Sequence, residues 1–417
     1  MKIVHVEDFF HPEAGYQVNL LSRLQQAEGH QVTVVTAELD KVPSLIAGFF
    51  GTDRIDEKDR AFERETNGVK IIRVPLLGYY SGRCVFHPKL LKIVNDEKPD
   101  VVFVHGEDTL TGMIFIWLAD LLPYPIVLDC HMLEMASVNR FREYFRTFYR
   151  RFVTPTILRR NIPLIRVVDS NYVEKCLGIP LAHTDLLSFG TDTSYFVPDA
   201  EQRQNTRRDL GFDDDAFVIL YAGKMDEAKG GMILADTLHN RFPEARGRPI
   251  QCLVIGKTDG DFGQKVEARL ASSENKVVRL PTQRYFDLVR YYQCVDLAIF
   301  AQQCSMSFFE AQSCGLPVLF EVNEMNVLRT SLNNAFTFTT GSVEDFRRQI
   351  VRLASLPEDE YAGLRHNARA FVLAGYDYVP IARQFTAVLE RAMRDWQANN
   401  KRPLLARVVD AVVGRGR

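Results

Sequence analysis

Short apolar runs alternate with amphipathic stretches along the first half of the chain. The runs are rich in Val, Ile and Leu without polar alternation, which is typical of parallel strands buried on both faces. The stretch 16–28 instead places Val18, Leu21 and Leu24 on one face of a helix. We predict strands at 2–6, 31–36, 69–74, 101–105, 125–129 and 164–168. Strands separated by helices indicate βαβ units and a parallel sheet with helices on both faces.

The pattern starts again in the second half, where strands are predicted at 217–223, 249–256, 276–280, 296–300, 316–320 and 335–339. Residues 197–216 between the two series are polar and contain Pro198, which favours a linker with a short helix. A long amphipathic helix follows at 379–398, and 399–417 form a basic tail. We therefore predict an α/β protein with two Rossmann-like domains, 1–196 and 217–378. Ligands of such sheets bind at the carboxyl ends of the strands, and two facing sheets would form a cleft.

Charge and cysteine content exclude several classes of protein. Lys and Arg total 51 and Asp and Glu total 53, a net charge of −2 that argues against a nucleic-acid binder. No apolar run reaches the ~18 residues of a membrane span, and Asp8 interrupts what would be the core of a signal peptide. Seven scattered cysteines without a CxxC pair favour a reducing cytoplasm, and the absence of HExxH and HxH predicts no bound metal.

The segment YAGKMDEAKGG (221–231) is a strand, a loop and the start of a helix. Two cations, Lys224 and Lys229, lie five residues apart on this loop, after Gly223. Lysines supply point charges and glycines let backbone N–H groups approach, so the loop suits a diphosphate. The alternative is a solvated loop with two surface lysines. Neither half of the chain contains GxGxxG or GxxxxGK[ST].

A second informative segment is QQCSMSFFEAQSCGLPVLF (302–320). Ser305 and Ser307 are predicted N-caps of a helix that Gly315 ends. Glu310 lies in the middle of this helix, beside two phenylalanines. A carboxylate on a packed helix requires partners, and sugar hydroxyls would supply them. The alternative is a glutamate on the solvated face.

Taken together, these segments resemble the GT-B glycosyltransferases of the large retaining family 4, the glycosyl transferases group 1 type. The similarity spans about residues 1–330 and has the family's order and spacing. The stretches that carry it are HPEAGYQVNLLSRLQQAEGHQVTVVT, VLDCHMLE, SFGTDTSYFVP, YAGKMDEAKGG and FFEAQSCGLPVL. This resemblance implies an N-terminal acceptor domain, a C-terminal nucleotide-sugar domain and a final helix that packs back on the first.

The resemblance also implies a role for individual residues. Gly15 would lie near the donor diphosphate, His131 at the donor sugar, and Glu310 at the ribose hydroxyls. Lys224 and Lys229 would hold the diphosphate and stabilise the leaving nucleotide without a metal or cofactor. The rest of the implied donor site comprises Gly223, Gln302, Ser305 and the backbone N–H groups of Met306 and Ser307.

One position departs from the family pattern E-x7-E, because Gln302 stands eight residues before Glu310 where the family has glutamate. The usual glycine three residues later is Ser305. Glutamine keeps hydrogen bonding and loses the negative charge, which affects the choice of donor sugar. Two alternatives to a transferase remain: a GT-B nucleotide-sugar epimerase, and a non-catalytic GT-B subunit that binds sugar nucleotides.

The stretch 139–160 combines six aromatic residues at helical spacing with seven arginines and one glutamate. A basic helix with an aromatic face can lie on anionic lipid. A stripe that faces the core under solvated arginines is the favoured alternative. With the basic tail, the stretch is consistent with peripheral attachment to the inner face of a membrane and a lipid-linked acceptor in surface polysaccharide assembly. The long insertion at 40–66 is predicted as a lid or acceptor loop.

Overall fold

The computed structural model describes residues 1–12, 14–38, 68–80, 83–132, 140–302 and 306–400. These residues form two compact units. The first unit contains the described residues up to Phe189 and those from Val379 onward, and the second contains Gly190–Tyr378. The predicted loop at 40–66, Ser305 and the tail from 401 onward lie outside the described residues.

A seven-stranded sheet forms the centre of the first unit. Its order is β3-β2-β1-β6-β7-β8-β9, and every neighbouring pair is parallel. A separate antiparallel hairpin, β4–β5, precedes β6. The strands are β1 Lys2–Glu7, β2 Gln31–Ala37, β3 Lys70–Val74, β4 Leu76–Tyr80, β5 Arg83–Phe86, β6 Val101–His105, β7 Ile126–Cys130, β8 Leu164–Arg166 and β9 Thr184–Leu186. The order reverses direction between β1 and β6, which is where doubly wound sheets bind ligands.

The helices between these strands cover the sheet. They are α1 Gln17–Ala27, α2 Lys89–Asp96, α3 Leu110–Leu118, α4 Arg142–Phe152, α5 Thr154–Arg160 and α6 Tyr172–Leu177. The strands bury continuous apolar runs such as Val102–Val104, each of them 0% exposed. This burial on both faces is the reason the runs lack polar alternation.

The second unit repeats the architecture with a six-stranded sheet of order β12-β11-β10-β13-β14-β15. All of its pairs are parallel, and its direction reverses between β10 and β13. The strands are β10 Phe217–Ala222, β11 Ile250–Ile255, β12 Val277–Leu280, β13 Leu297–Phe300, β14 Val318–Glu321 and β15 Ala335–Phe338. The helices are α7 Ala200–Asp209, α8 Gly231–Thr237, α9 Gly260–Ala271, α10 Leu288–Cys294, α11 Ser307–Ser313, α12 Glu324–Val327, α13 Val343–Ala354 and α14 Glu358–Gly375. The predicted α/β class with two parallel sheets is confirmed.

The segment predicted as a linker belongs to the second unit. Its helix α7 is attached by a buried ion-pair cluster, in which Arg203 and Arg207 contact the two carboxylate oxygens of Asp296 at 2.5 and 2.6 Å. Because charged groups rather than an apolar stripe make this contact, hydrophobic periodicity did not reveal it.

The last helix, α15 Tyr378–Asn400, returns the chain to the first unit at Val379. Phe385 is fully buried there and its ring lies 6.1 Å from that of Phe103 on β6. Among the described helices, none combines the length and the apolar content that a membrane span requires.

The sequence favoured an aromatic stripe on α4 that faces the core, but most of this stripe is exposed. Tyr149 is buried and its hydroxyl donates to the Glu107 carbonyl at 3.0 Å. Phe141, Tyr144 and Phe152 are 53%, 79% and 58% exposed. The buried residues of the helix are Tyr149 and Arg146, so only one edge of the aromatic stripe faces the core.

Candidate functional site

In the first unit, polar side chains gather at the carboxyl ends of β1, β6 and β7, beside the reversal point. His131 follows β7 directly and is 38% exposed at its side chain. Its Nε2 lies 3.0 Å from Oδ2 of the fully buried Asp129. The same oxygen lies 2.6 Å from Nδ1 of His105, and the backbone N–H of Gly106 donates to the other oxygen at 2.9 Å.

These contacts set the charge around His131. Burial alone would raise the pKa of Asp129, but the two histidines outweigh it and hold that pKa well below its ordinary value. Partial burial lowers the pKa of His131, whereas the Asp129 carboxylate raises it, and the net shift is upward. His131 is therefore oriented by an ionised carboxylate.

Two residues that the sequence did not indicate extend this polar group: Glu7 lies close to His131, and Tyr16 lies close to Glu7. Burial raises the pKa of Glu7, at the end of β1, to about 7, while His105 and His131 oppose that rise. Tyr16 follows Gly15 at the start of α1, and burial together with the nearby Glu7 raises its pKa. The Gly15 loop, Glu7 and His131 therefore belong to one polar cluster.

In the second unit, the loop after β10 carries both predicted lysines. Lys224 and Lys229 are half-buried, and the Tyr221 hydroxyl donates to the Lys224 carbonyl at 2.5 Å. Asp226 caps the short turn Glu227–Lys229 by accepting from the Lys229 N–H at 2.9 Å. Partial burial lowers the pKa of Lys224, and Asp226 and Asp259 oppose that shift. Hydrogen bonds within the loop therefore fix its backbone, which carries the two lysine side chains.

Close backbone packing fixes the base of this loop. A Cβ on Gly256 would lie 1.7 Å from the Gly223 carbonyl oxygen, so only glycine fits there. Gly230, at φ +70°, lies against Gln302, whose Cβ would be 3.0 Å from a Cβ at position 230. The structure thus brings Gln302 beside the lysine loop at the reversal point between β10 and β13.

Glu310 lies on α11, after β13, and is 7% exposed. The buried hydroxyl of Tyr292 on α10 donates to Glu310 Oε2 at 3.1 Å. Burial raises the pKa of Glu310 to about 7, and the Tyr292 hydrogen bond opposes this. The predicted solvated alternative for Glu310 is therefore wrong. The Ser307 cap is wrong as well, because Ser307 is the first helical residue and the capping position is Met306, whose side chain makes no cap hydrogen bond.

Comparison with known proteins agrees with this architecture. Residues 14–160 match the glycosyl transferase 4-like domain, and residues 216–355 match the glycosyl transferases group 1 family. A D-inositol 3-phosphate glycosyltransferase of Pseudarthrobacter chlorophenolicus is 27% identical over 236 residues, which span 52% of this chain and 53%, about half, of the relative.

Two solved structures have the same fold. A glycosyltransferase of Rickettsia africae superposes with a TM-score of 0.71 at 13% identity, covering 94% of this chain and 98% of the other. Anabaena HepE, in complex with UDP-glucose, gives 0.69 at 16% identity and covers 94% and 100%. The chain belongs to the GT-B glycosyltransferases of the group 1 type. Among the described residues, one matched region lies within each of the two parallel-sheet units.

In this GT-B glycosyltransferase the predicted residues fall into two sets. Gly15 and His131 lie in the first unit. Gly223, Lys224, Lys229, Gln302, Met306, Ser307 and Glu310 lie in the second. Within the second set, the lysine loop and Gln302 are packed together, and Glu310 is anchored separately on Tyr292.

The cluster His105, Asp129 and His131 is the one group among the described residues that could hold a metal ion. Its geometry is that of hydrogen bonding. A tetrahedral zinc ion with ~2.0–2.1 Å bonds would separate two ligand atoms by ~3.3 Å. His105 Nδ1 and Asp129 Oδ2 are 2.6 Å apart, which is a charge-assisted hydrogen bond.

Some residues of the candidate site, not predicted above, do have a signal in the sequence. His5 and His105 each lie within an apolar strand, where a polar side chain requires a buried partner. Asp129 stands two residues before His131, so both follow the same strand toward its carboxyl end. Glu7 and Tyr292 have no comparable signal, because their partners in the structure are distant in the chain.

Proposed function

We propose that this protein is a retaining glycosyltransferase that moves a sugar from a nucleotide-sugar to an acceptor. The observation that carries the proposal is the lysine loop after β10, held beside Gln302 at the reversal point of the second sheet. Cleavage of a sugar–phosphate bond leaves a nucleoside diphosphate on which negative charge grows. Lys224 and Lys229 would stabilise that charge where it develops.

The other residues complete the donor site in this proposal. Ionised Glu310 accepts hydrogen bonds from the ribose hydroxyls, with Tyr292 holding one of its oxygens in place. His131, oriented by Asp129, contacts the sugar near the reacting carbon, and Gly15 lets the backbone approach the diphosphate. The acceptor oxygen bonds to the sugar carbon on the face that the phosphate leaves as the sugar–phosphate bond breaks, the hydroxyl proton passes to the departing diphosphate, and the configuration is retained. The lysines take the part that a divalent cation plays elsewhere, so transfer needs no metal.

Activity against a panel of sugar nucleotides tests this proposal. UDP-, GDP-, ADP- and TDP-sugars are incubated with the purified chain, and release of free nucleoside diphosphate is measured. UDP-glucose heads the panel because HepE was crystallised with it. Release that depends on Lys229 supports the proposal. Binding without any release favours the non-catalytic subunit, and a changed sugar still attached to the nucleotide favours the epimerase.

For the acceptor, we propose a lipid-linked glycan of a surface polysaccharide, reached by attachment to the inner face of a membrane. The support is the exposed side of α4, where Phe148 and Phe152 lie beside Trp117 of α3, with ring centroids of neighbours 5.3 and 6.1 Å apart. Arg150 and Arg151 are exposed at the end of this helix. An aromatic face flanked by arginines suits an anionic bilayer.

Flotation with vesicles tests the attachment. The wild-type chain should float with phosphatidylglycerol-containing vesicles and remain below with pure phosphatidylcholine. Replacing Tyr144 and Phe152 by serine should abolish flotation. Leu373→Ser, which changes a residue 49% exposed in the second unit, is the matched control and should behave as wild type. Equal flotation of all three proteins would contradict the proposed surface. D-inositol 3-phosphate, the compound in the relatives' name, is the soluble compound to be tested as the alternative acceptor in the transfer assay.

A further inference from the structure

A buried chain of hydrogen bonds crosses the first unit and ends at His131. It runs through Thr386 on α15, Gln25 on α1, His5 on β1, His105 on β6 and Asp129 on β7. Each of these five side chains belongs to a residue that is at most 6% exposed. Because each hydrogen bond in this buried chain needs one donor and one acceptor, only a few arrangements of the protons are possible.

The first links fix the direction of donation. The Thr386 hydroxyl donates to the Ala382 carbonyl one turn earlier, at 2.9 Å, so its oxygen is left to accept. Gln25 Nε2 therefore donates to Thr386 Oγ1, at 3.3 Å, and Gln25 Oε1 faces His5. That amide oxygen can only accept, so the proton between Gln25 and His5 lies on His5 Nε2, at 2.8 Å.

The next link concerns His105. Burial, and then the neighbouring His105, lower the pKa of His5 to about 3, so His5 is neutral and carries one ring proton. With that proton on Nε2, His5 Nδ1 is an acceptor. His105 Nε2, 2.9 Å away, must therefore donate to it. The other nitrogen of His105 faces the carboxylate of Asp129 at 2.6 Å and must donate as well.

Both ring nitrogens of His105 then carry protons. We propose that His105 is a fixed imidazolium and a positioning residue, which balances the charge of Asp129 and so limits the pull of that carboxylate on the His131 proton. This inference rests on the proposed role of His131 at the donor sugar. With Nε2 donating to Asp129, a neutral His131 keeps Nδ1 to accept a hydrogen bond from a sugar hydroxyl.

Other charges near the two histidines do not replace His105. His131 faces Asp129 on its own strand, Glu7 on β1 and Arg83 on β5. His105 faces His5 and Glu7 on β1 and Asp129 on β7. Arg83 is engaged by Asp108 at 3.2 Å. Of these groups, the ones that can carry a positive charge within hydrogen-bonding distance of the Asp129 carboxylate are His105 and His131.

Nuclear magnetic resonance of the ring nitrogens in the full chain, without donor, tests the assignment. We expect both nitrogens of His105 to carry a proton in the wild type. Thr386→Val removes the acceptor that fixes Gln25, whereas Thr386→Ser keeps it and is the matched control. In Thr386→Val, we expect one His105 nitrogen to lose its proton and the titration midpoint of His131 to rise by about one pH unit. An unprotonated nitrogen on His105 in the wild type, or identical spectra for the two variants, would overturn the inference.

A kinetic measurement separates positioning from a structural role. In His105→Gln the cation is lost, so the limb of the kcat/KM profile that reports His131 should move upward by about one pH unit. A merely structural role would lower kcat/KM equally at every pH. If His131→Ala retains full activity, the proposed function of His131 fails, while the spectra still decide the charge of His105.

Discussion

Glu310 offers a quantitative test, because its ionisation is opposed by burial. Its pKa is raised from 4.5 to about 7. At ~1.36 kcal/mol for each unit, ionising this side chain in the free protein costs roughly 3 kcal/mol more than in water. If ribose hydroxyls hydrogen bond to the carboxylate, nucleotide binding must displace the proton. Affinity should therefore fall as the pH drops below 7.

The expected size follows from one linked proton. With a midpoint near 7, the Kd for UDP should rise about 30-fold between pH 8 and pH 5.5. In Glu310→Gln, a neutral side chain of the same shape, this dependence should vanish. The terminal phosphate of UDP also titrates near pH ~6. Isothermal titration calorimetry of both proteins in the same buffers removes that contribution, since the ratio of the two Kd values reports Glu310 alone.

Stability should depend on pH in the opposite sense. Because the pKa of Glu310 is higher in the folded protein than in the unfolded chain, the native state binds this proton more tightly. Its contribution to stability is complete below pH ~4.5 and is lost as the pH rises through 7. Without nucleotide, Glu310→Gln should thus lose less stability than wild type between pH 5 and 8.

The binding measurement decides the position of Glu310. If the ratio of the two Kd values for UDP stays constant within twofold from pH 5.5 to 8, the placement of Glu310 at the ribose is refuted.

Three further predictions concern the donor site. Lys229→Ala should lower kcat by the equivalent of ~2–4 kcal/mol with the fold intact. Lys265→Ala, on the exposed face of α9, is the control and should leave kcat unchanged. If Lys229→Ala keeps near wild-type turnover, the diphosphate lies elsewhere. Excess EDTA should leave transfer unchanged, and a loss restored by Mg²⁺ or Mn²⁺ would disprove the lysine mechanism. Gln302→Glu should reduce activity on the native donor about tenfold, because an ionised carboxylate cannot donate the hydrogen bond that the amide supplies and an unpaired acceptor costs ~1–3 kcal/mol. A variant faster than wild type on every donor would show that Gln302 is a defect rather than a determinant of specificity.

The strands were predictable from the sequence because burial on both faces leaves continuous apolar runs, as in Val101–His105 and Phe217–Ala222. The edge strand β9 was missed, since Thr184–Leu186 is short and half-polar. The attachment of α7 was missed for a related reason, because Arg203 and Arg207 do not look like packing residues in a sequence.

Residues of the candidate site could be predicted from the sequence only where they belong to a recognisable motif. The segments that contain Lys224, Lys229 and Glu310 resemble family motifs, and that resemblance predicts the donor half. The partners that determine their chemistry, such as Tyr292 for Glu310 and Asp129 for His131, are selected by the fold. The orientation of α4 was equally inaccessible, because helical periodicity defines the aromatic stripe but not which of its edges meets the core.

The return of the chain to the first unit at Val379 affects the order in which the protein can be made. On the ribosome, the first sheet emerges early but lacks Phe385 and Thr386, and the 189 residues of Gly190–Tyr378 must be synthesised before they appear. At ~5–20 residues per second, that delay is roughly 10–40 s. During this interval the second unit can complete its own core, while Gln25 and the face of Phe103 await their partners. We therefore expect a chain truncated after residue 378 and released from the ribosome to resist proteolysis in the second unit and to be cleaved in the first.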